Sequence, residues 1–107
     1  MNSFNPKDFE EILDLIKGKI GTWVECDGIR PIESNFNTKS MMFRTKNSDK
    51  EGMIIVGEDK EFIAVDISVI DGDVRSFILK DKNDVGAINN IVGWFEENYM
   101  LEKSLKY

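Results

Sequence analysis

The chain has 107 residues, of which 41% are hydrophobic and 32% charged, and this composition predicts one globular domain over residues 1 to 107. Its 20 acidic and 14 basic side chains give a net charge of −6, which disfavours nucleic acid and membrane partners because both are bound through positive charge. The sequence has no histidine and a single cysteine, Cys26, which excludes an intrachain disulfide, most catalytic triads and most zinc sites.

An amphipathic helix is predicted over residues 6 to 17. Asn5 is a favourable N-cap, and Pro6 suits the first helical position because its missing N–H has no partner there in any case. Gly18 is expected to end the helix. Apolar residues with helical spacing form the side expected to face the core: Phe9, Ile12, Leu13 and Ile16.

After this helix the apolar residues alternate, which predicts about five antiparallel strands. The segment between residues 27 and 37 lacks this period and is expected to be an irregular connection. Glycine and polar residues predict turns at residues 47 to 52 and 57 to 60. The predicted strands cover residues 19 to 26, 38 to 46, 53 to 56 and 61 to 70, followed by the strand that completes a hairpin ending at residue 79.

The segment VIDGDVRS, residues 69 to 76, suggests either a calcium loop or a hairpin turn. A calcium loop needs carboxylates at alternating positions and a bidentate Glu at its twelfth position, and this spacing is missing here. Asp71-Gly72 is instead typical of a two-residue type I′ hairpin loop. The sequence therefore predicts a turn and no metal site.

The type I′ loop also predicts which side chains share a face of the sheet. It would pair Ser68 with Arg75 and place Val74 and Ile78 on the core face. Asp66 would then lie diagonally across from Arg75 on the opposite face.

A second helix is predicted after the hairpin, with Asp81 as its N-cap. Ala87, Trp94 and Leu101 are spaced seven apart and form a narrower apolar seam beside the main one, suited to burial or to a partner. The side expected to cover the sheet consists of Val85, Ile88, Ile91, Val92, Phe95 and Tyr99.

Together these elements predict an α+β domain: an N-terminal helix, an antiparallel meander of about five strands, and a C-terminal helix, with both helices packed on one face of the sheet. A small closed barrel is the alternative. With both helices on one face, the other face would stay open as a mixed apolar and polar binding surface. Its expected residues are Met53, Ile55, Phe62 and Phe77 at one end, and Asp66, Ser68 and Arg75 at the other.

Little catalytic or cofactor-binding equipment is recognisable in the chain. No glycine-rich phosphate loop precedes a helix, so no cofactor is expected. Cys26 is predicted to point inward as an inert thiol. The sequence also lacks an apolar run of membrane-spanning length and a signal peptide, which predicts a soluble cytoplasmic protein.

The leading hypothesis is a non-catalytic acidic binding protein, such as an inhibitor or immunity-type protein that neutralises a basic partner, for example a toxin nuclease. Negative charge would speed the encounter with such a partner, and apolar anchors would slow its release. The residues predicted to contact the partner are Glu58, Asp59, Glu61, Asp71 and Asp73, with Trp94 as an anchor.

Two other functions stay open. In the first, the seam or a sheet edge joins two copies into a homodimeric adaptor or chaperone-like protein. In the second, Asp66 and Arg75 serve a small-ligand or enzymatic site on the sheet, because a carboxylate that interrupts an apolar strand is suited to binding or acid–base chemistry.

Overall fold

A computed structural model of the chain describes residues 5–32, 35–46 and 50–100. The predicted α+β class, with an antiparallel sheet between an N-terminal and a C-terminal helix, is confirmed. The elements in chain order are helix α1 (Pro6–Ile20), strands β1 (Val24–Cys26), β2 (Arg30–Ile32), β3 (Asn35–Thr45), β4 (Glu51–Asp59), β5 (Phe62–Val69) and β6 (Val74–Leu79), helix α2 (Val85–Phe95) and a π-helical turn (Glu96–Met100).

The six strands form one sheet in the order β1-β3-β4-β5-β6, with β2 also paired to β3. Strands β3 to β6 are the predicted meander, since each pairs antiparallel with the next. Among the described strands, β6 pairs with β5 alone and β1 and β2 pair with β3 alone, so the sheet is open. The closed barrel is therefore excluded.

Both helices pack against one face of the sheet, here called the covered face, and the opposite side is the open face. Buried side chains from α1, α2 and alternate strand positions form one apolar cluster there, which removes them from water. The sheet contributes Val24, Met41, Phe43, Ile54, Val56, Ile63, Val65, Ile67, Val69 and Leu79, and the helices contribute Phe9, Ile12, Leu13, Ile16, Ile20, Ile88, Ile91 and Phe95.

Helix α1 begins as predicted and ends later. The Asn5 side chain accepts a hydrogen bond from the Lys7 N–H at 2.9 Å, and the predicted apolar side is buried. The helix continues through Gly18 to Ile20, which is 0% exposed. Burying Ile20 outweighs the roughly 1 kcal/mol that a helical glycine costs. The strand predicted over residues 19 to 26 is consequently wrong at its start and covers only Val24–Cys26.

Two strands extend into segments that were predicted as loops. The connection predicted at residues 27 to 37 contains β2 and the beginning of β3. Strand β4 covers Glu51–Asp59, so the turn predicted at residues 57 to 60 is wrong. The chain reverses instead at Lys60 and Glu61, where Asp59 pairs with Phe62 and Lys60 has a φ of 59°. A positive φ at the first central residue alone is typical of a type II′ hairpin turn.

The β5–β6 hairpin lies where it was predicted, but its register differs by one residue. Ser68 pairs with Val74, and Ile67 pairs with Arg75. The Gly72 N–H donates to the Val69 carbonyl at 3.0 Å, and Asp71, not Gly72, has a positive φ of 59°. This is the pattern of a type II turn and not of the predicted type I′ loop.

That shift exchanges the faces of the β6 side chains. Val74 and Ile78 lie on the open face, where 71% and 51% of their surfaces are exposed. Arg75, Phe77 and Leu79 lie on the covered face, and Leu79 is buried. The predicted positions of Val74, Ile78, Arg75 and Phe77 are therefore wrong.

Helix α2 begins three residues later than predicted. Asp84, not Asp81, is its N-cap, and its carboxylate accepts hydrogen bonds from the Ala87 N–H at 3.2 Å and the Lys80 N–H at 3.0 Å. These two bonds, that from Lys80 first, hold the pKa of Asp84 below its ordinary value. Val85, which was predicted to face the core, is the first residue of the helix and is exposed. The remaining predicted core residues of α2, namely Ile88, Ile91, Phe95 and Tyr99 of the following turn, are buried, and Val92 is partly buried.

Candidate functional site

The open face carries a mostly apolar row of side chains next to a mostly polar row. Met42, Met53, Ser68 and Val74 lie side by side across the four strands, because their backbones pair directly. The next row is Ser40, Ile55, Asp66 and Ser76. The predicted mixed open face is thus present, with Val74, Ser76 and Ile78 on it in place of Arg75 and Phe77.

A depression of about 350 Å³ lies in this face and is lined by residues of strands β3, β4, β5 and β6. It forms because Gly57 and Ala64 pair directly, so its floor has almost no side-chain volume. Ile55 and Ile78 provide apolar walls. Its remaining lining residues are Thr38, Glu58, Asp59, Asp66 and Ser76.

Asp66 is held at one side of this depression by a hydrogen bond. The Ser76 hydroxyl donates to Asp66 Oδ1 at 2.6 Å, across a directly paired position of β5 and β6. A charge-assisted bond of this length fixes the carboxylate, while its second oxygen keeps its capacity to accept. Asp66 therefore presents a positioned negative charge to the depression.

The structure does not bring Asp66 and Arg75 together as a ligand site. Arg75 pairs with Ile67, the neighbour of Asp66, so the two side chains point to opposite faces. The Arg75 guanidinium instead lies over the Phe77 ring, 5.2 Å from its centroid, in a cation–π arrangement.

The five carboxylates predicted to contact a partner fall into two groups. Glu58, Asp59 and Glu61 lie around the β4–β5 turn, whereas Asp71 and Asp73 lie in the β5–β6 turn. Strand β5 separates the two turns by its eight residues, which is roughly 25 Å. They do not form one patch, and only Glu58 and Asp59 line the depression.

Trp94 lies at a separate groove of about 320 Å³ between α2 and β6. Its ring is partly buried, edge-on against Phe95 at 5.2 Å and Tyr99 at 5.5 Å between ring centroids. Arg75 and Phe77 line the β6 side of this groove. Leu101 of the predicted seam lies outside the described residues.

A third hollow of about 260 Å³ lies at the end of the sheet near β1 and includes Glu25, Arg44 and Glu51. Arg44 donates from Nη2 to Glu51 Oε2 at 2.6 Å and from Nε to the same oxygen at 3.0 Å. These charges offset each other, so the hollow has less net negative charge than the open-face depression.

The described residues offer little for metal or thiol chemistry. Among residues 5–32, 35–46 and 50–100, no three His, Cys, Asp or Glu side chains are grouped to hold a metal ion. Cys26 is half-buried on the covered-face side of β1, and burial raises the pKa of its thiol to about 11, against the smaller lowering effect of Lys17. Such a thiol is protonated and poorly nucleophilic near neutral pH.

Sequence reasoning identified Glu58, Asp59 and Asp66 but missed the depression that gathers them. Thr38, Gly57, Ala64 and Ser76 received no role, because the β4–β5 turn was placed three residues too early. The sequence offers one signal for the depression. Gly57 precedes Lys60-Glu61 by as many residues as Ala64 follows it, so a turn at Lys60-Glu61 pairs these two small residues.

Comparisons with known proteins do not identify a relative: no family model, no curated protein and no solved structure matches this chain. Within the described part of the chain, neither helix has the length and apolar character that crossing a membrane requires.

Proposed function

We propose that this protein is a non-catalytic acidic binding protein whose open face receives a basic protein partner. The observation that carries the proposal is the open-face depression, in which Glu58, Asp59 and Asp66 stand beside apolar walls. Among the described residues that line it, none is Lys or Arg. A negative, partly apolar hollow is complementary to a basic side chain.

The depression suits one Lys or Arg side chain of the partner. Such side chains have an apolar stem and a charged head, and they bury the stem while the head stays in polar surroundings. Ile55 and Ile78 would contact the stem, and the carboxylates would pair with the head. The net charge of −6 would attract a basic partner over longer distances and speed association.

The partner class that fits this chemistry best is a basic toxin such as a nuclease. A nuclease binds its substrate's phosphates through positive surface, and an acidic face that covers this surface would block the substrate. On this proposal the chain acts as a cytoplasmic, bacterial inhibitor of the immunity type.

Affinity capture from a lysate of the source organism at low salt, followed by mass spectrometry, identifies the partner. One basic protein is expected in stoichiometric amount at low salt and much less at high salt, because ions screen the attraction between exposed charges. Recovery of no basic protein at low salt would contradict the proposal.

Two double variants then test whether the depression is the contact site. Glu58→Gln with Asp59→Asn removes two charges at the depression, and Asp71→Asn with Asp73→Asn removes two at the other turn. Each leaves a net charge of −4, from −6 + 2. The first should weaken binding of the captured protein about tenfold and slow its association, whereas the second should change affinity less than about threefold.

A steric pair of variants tests the same site without changing charge. Ala64→Leu fills the floor of the depression, and Ser68→Leu adds the same side chain four residues along the same face of β5. Binding should be lost in Ala64→Leu and retained in Ser68→Leu. Equal affinities would show that the partner uses another surface.

A further inference from the structure

The two edges of the sheet differ in how they are protected against pairing with another strand. At one edge, β1 and β2 have three residues each, and β2 contains Pro31 at a shift in register. Short strands, proline and irregular pairing are common protections of a sheet edge. At the other edge, β6 has the sequence VRSFIL, with no proline, no lysine and one charge, that of Arg75.

Among the described strands β6 pairs with β5 alone, and its outer edge presents the backbone groups of Val74, Ser76 and Ile78. In an antiparallel pair, hydrogen-bonded and non-hydrogen-bonded positions alternate. The Val69 N–H donates to the Asp73 carbonyl at 2.9 Å, which makes Val69 and Asp73 a hydrogen-bonded pair. By alternation the backbone groups of Arg75, Phe77 and Leu79 point to β5. The backbone N–H and C=O groups of Val74, Ser76 and Ile78 therefore point away from β5.

The side chains of β6 are self-complementary about Ser76. Antiparallel pairing of two copies around this residue sets Val74 against Ile78, the two most exposed apolar residues of the strand. It also sets Arg75 against Phe77, which already make a cation–π contact within one chain. Three pairs of outward-pointing residues then coincide, for roughly six backbone hydrogen bonds at two per pair.

The charges at the ends of β6 agree with the same register. In this register Gly72 of one copy would lie opposite Lys80 of the other, which would bring Lys80 beside Asp71 and Asp73 of that turn. Lys80, Asp71 and Asp73 are all exposed in the single chain. Two such groups of opposite charges occur, one at each end of the paired strands.

We propose that two copies of this chain form a homodimer by antiparallel pairing of β6 around Ser76. Pairing centred on Arg75 would set two guanidinium groups directly against each other, which is unfavourable. Pairing centred on Phe77 would set Val74 against the charged Lys80. The register around Ser76 is the one that matches apolar, charged and backbone groups together.

The homodimer joins the two sheets into one and places both open faces on the same side. Val74 of the second copy then lies beside Ile78, which forms a wall of the depression. Each copy thereby adds an apolar residue next to the other's depression. The dimer does not depend on a basic partner, so it stands or falls separately from the proposed function.

The first test is the mass of the purified chain by sedimentation and light scattering over a range of concentrations. The mass should rise from 12.3 kDa towards twice that value. Val74→Lys and Ile78→Lys should restore the monomer mass, because exposed lysines block an edge. Phe62→Lys places the same charge on the same face of the interior strand β5, and it should leave the dimer intact. A monomer mass at every concentration overturns the proposal.

Cysteine cross-linking tests the register, in a Cys26→Ser background that removes the native thiol. Ser76→Cys should form a disulfide-linked dimer on mild oxidation, because the facing Cα atoms of a hydrogen-bonded pair are about 5.5 Å apart. Val74→Cys alone should not, since its two copies are roughly 13 Å apart along the strands. A mixture of Val74→Cys and Ile78→Cys chains should cross-link. A dimer that forms without the Ser76→Cys disulfide uses another surface and equally overturns the proposal.

Discussion

The two faces of strand β5 show how differently one segment is constrained on its two sides. Ile63, Val65, Ile67 and Val69 are all buried on the covered face, and each packs into the core that both helices share. Phe62, Ala64, Asp66 and Ser68 alternate with them on the open face and are partly or fully exposed. The covered face is determined by burial, whereas the open face is free to carry charge, small residues and exposed apolar groups. Stability should therefore depend on one side of the strand and binding on the other.

The largest expected effect separates two neighbours on this strand. Ile67→Ala should lower the free energy of unfolding by about 2–5 kcal/mol, because Ile67 is fully buried and truncation leaves a cavity. Ser68→Ala, one residue along and exposed, should change it by less than about 0.5 kcal/mol. Both values are measured by urea unfolding, in which the dependence of the unfolding free energy on urea concentration, the m-value, should be unchanged. Similar costs for the two variants would show that the open face is covered in solution.

Two glycines of β4 sharpen the comparison on opposite faces. A Cβ at Gly52 would collide with the Ser68 carbonyl oxygen and lie 2.6 Å from Cζ of the Phe43 ring. A Cβ at Gly57 would meet Thr38 Oγ1 at 3.0 Å, a milder contact that involves one side chain and no backbone atom. Gly52→Ala should therefore cost about 1–3 kcal/mol and Gly57→Ala less than about 1 kcal/mol. Thermal unfolding of the two variants gives the order, and a reversed order would contradict the packing of Phe43 over Gly52.

The same contrast explains which parts of the fold were predictable from the sequence. The apolar sides of α1 and α2 and the alternation in β5 repeat over several turns or residues, and burial of these side chains leaves little freedom. The register of β6 was not predictable in this way. Val74 and Ile78 are apolar on one face of the strand, and Phe77 and Leu79 are apolar on the other. Alternation alone is therefore consistent with either face being the one that packs against the core. The complete burial of Leu79 against the helices decides between them.

The candidate site depended on the details that sequence patterns specify least. Gly57 was interpreted as part of a turn, because glycine is common in turns, although it lies in β4 opposite Ala64. The turn lies at Lys60-Glu61 instead, so Gly57 pairs with Ala64, and these two small residues form the floor of the depression. Its charged members were identified individually, but only the pairing of the strands shows that Glu58, Asp59 and Asp66 lie around one hollow.

The smallest effect concerns Cys26, which lies at the border of the covered face on β1. Its thiol has a pKa of about 11 in the folded chain, against an ordinary value of 9.0, chiefly because burial disfavours the thiolate. The unfolded chain therefore releases this proton at lower pH than the folded chain does. The stabilising contribution of the protonated thiol is fully present below pH 9 and is lost as the pH rises through about 11.

Comparison with Cys26→Ser isolates this contribution, because the variant lacks the thiol and keeps every other titratable side chain. The difference in unfolding free energy between wild type and Cys26→Ser should be constant up to pH 9 and then fall to pH 11. Alkylation of Cys26 near pH 8 should likewise be about 10- to 100-fold slower than that of the unfolded chain. A cysteine placed at Ser68 on the open face, in the Cys26→Ser background, should react at the rate of an unfolded thiol. Equal alkylation rates for Cys26 and the Ser68→Cys thiol would show that the Cys26 thiol is exposed in solution. The difference in burial between the two faces of the sheet would then hold from β3 to β6 and not at β1.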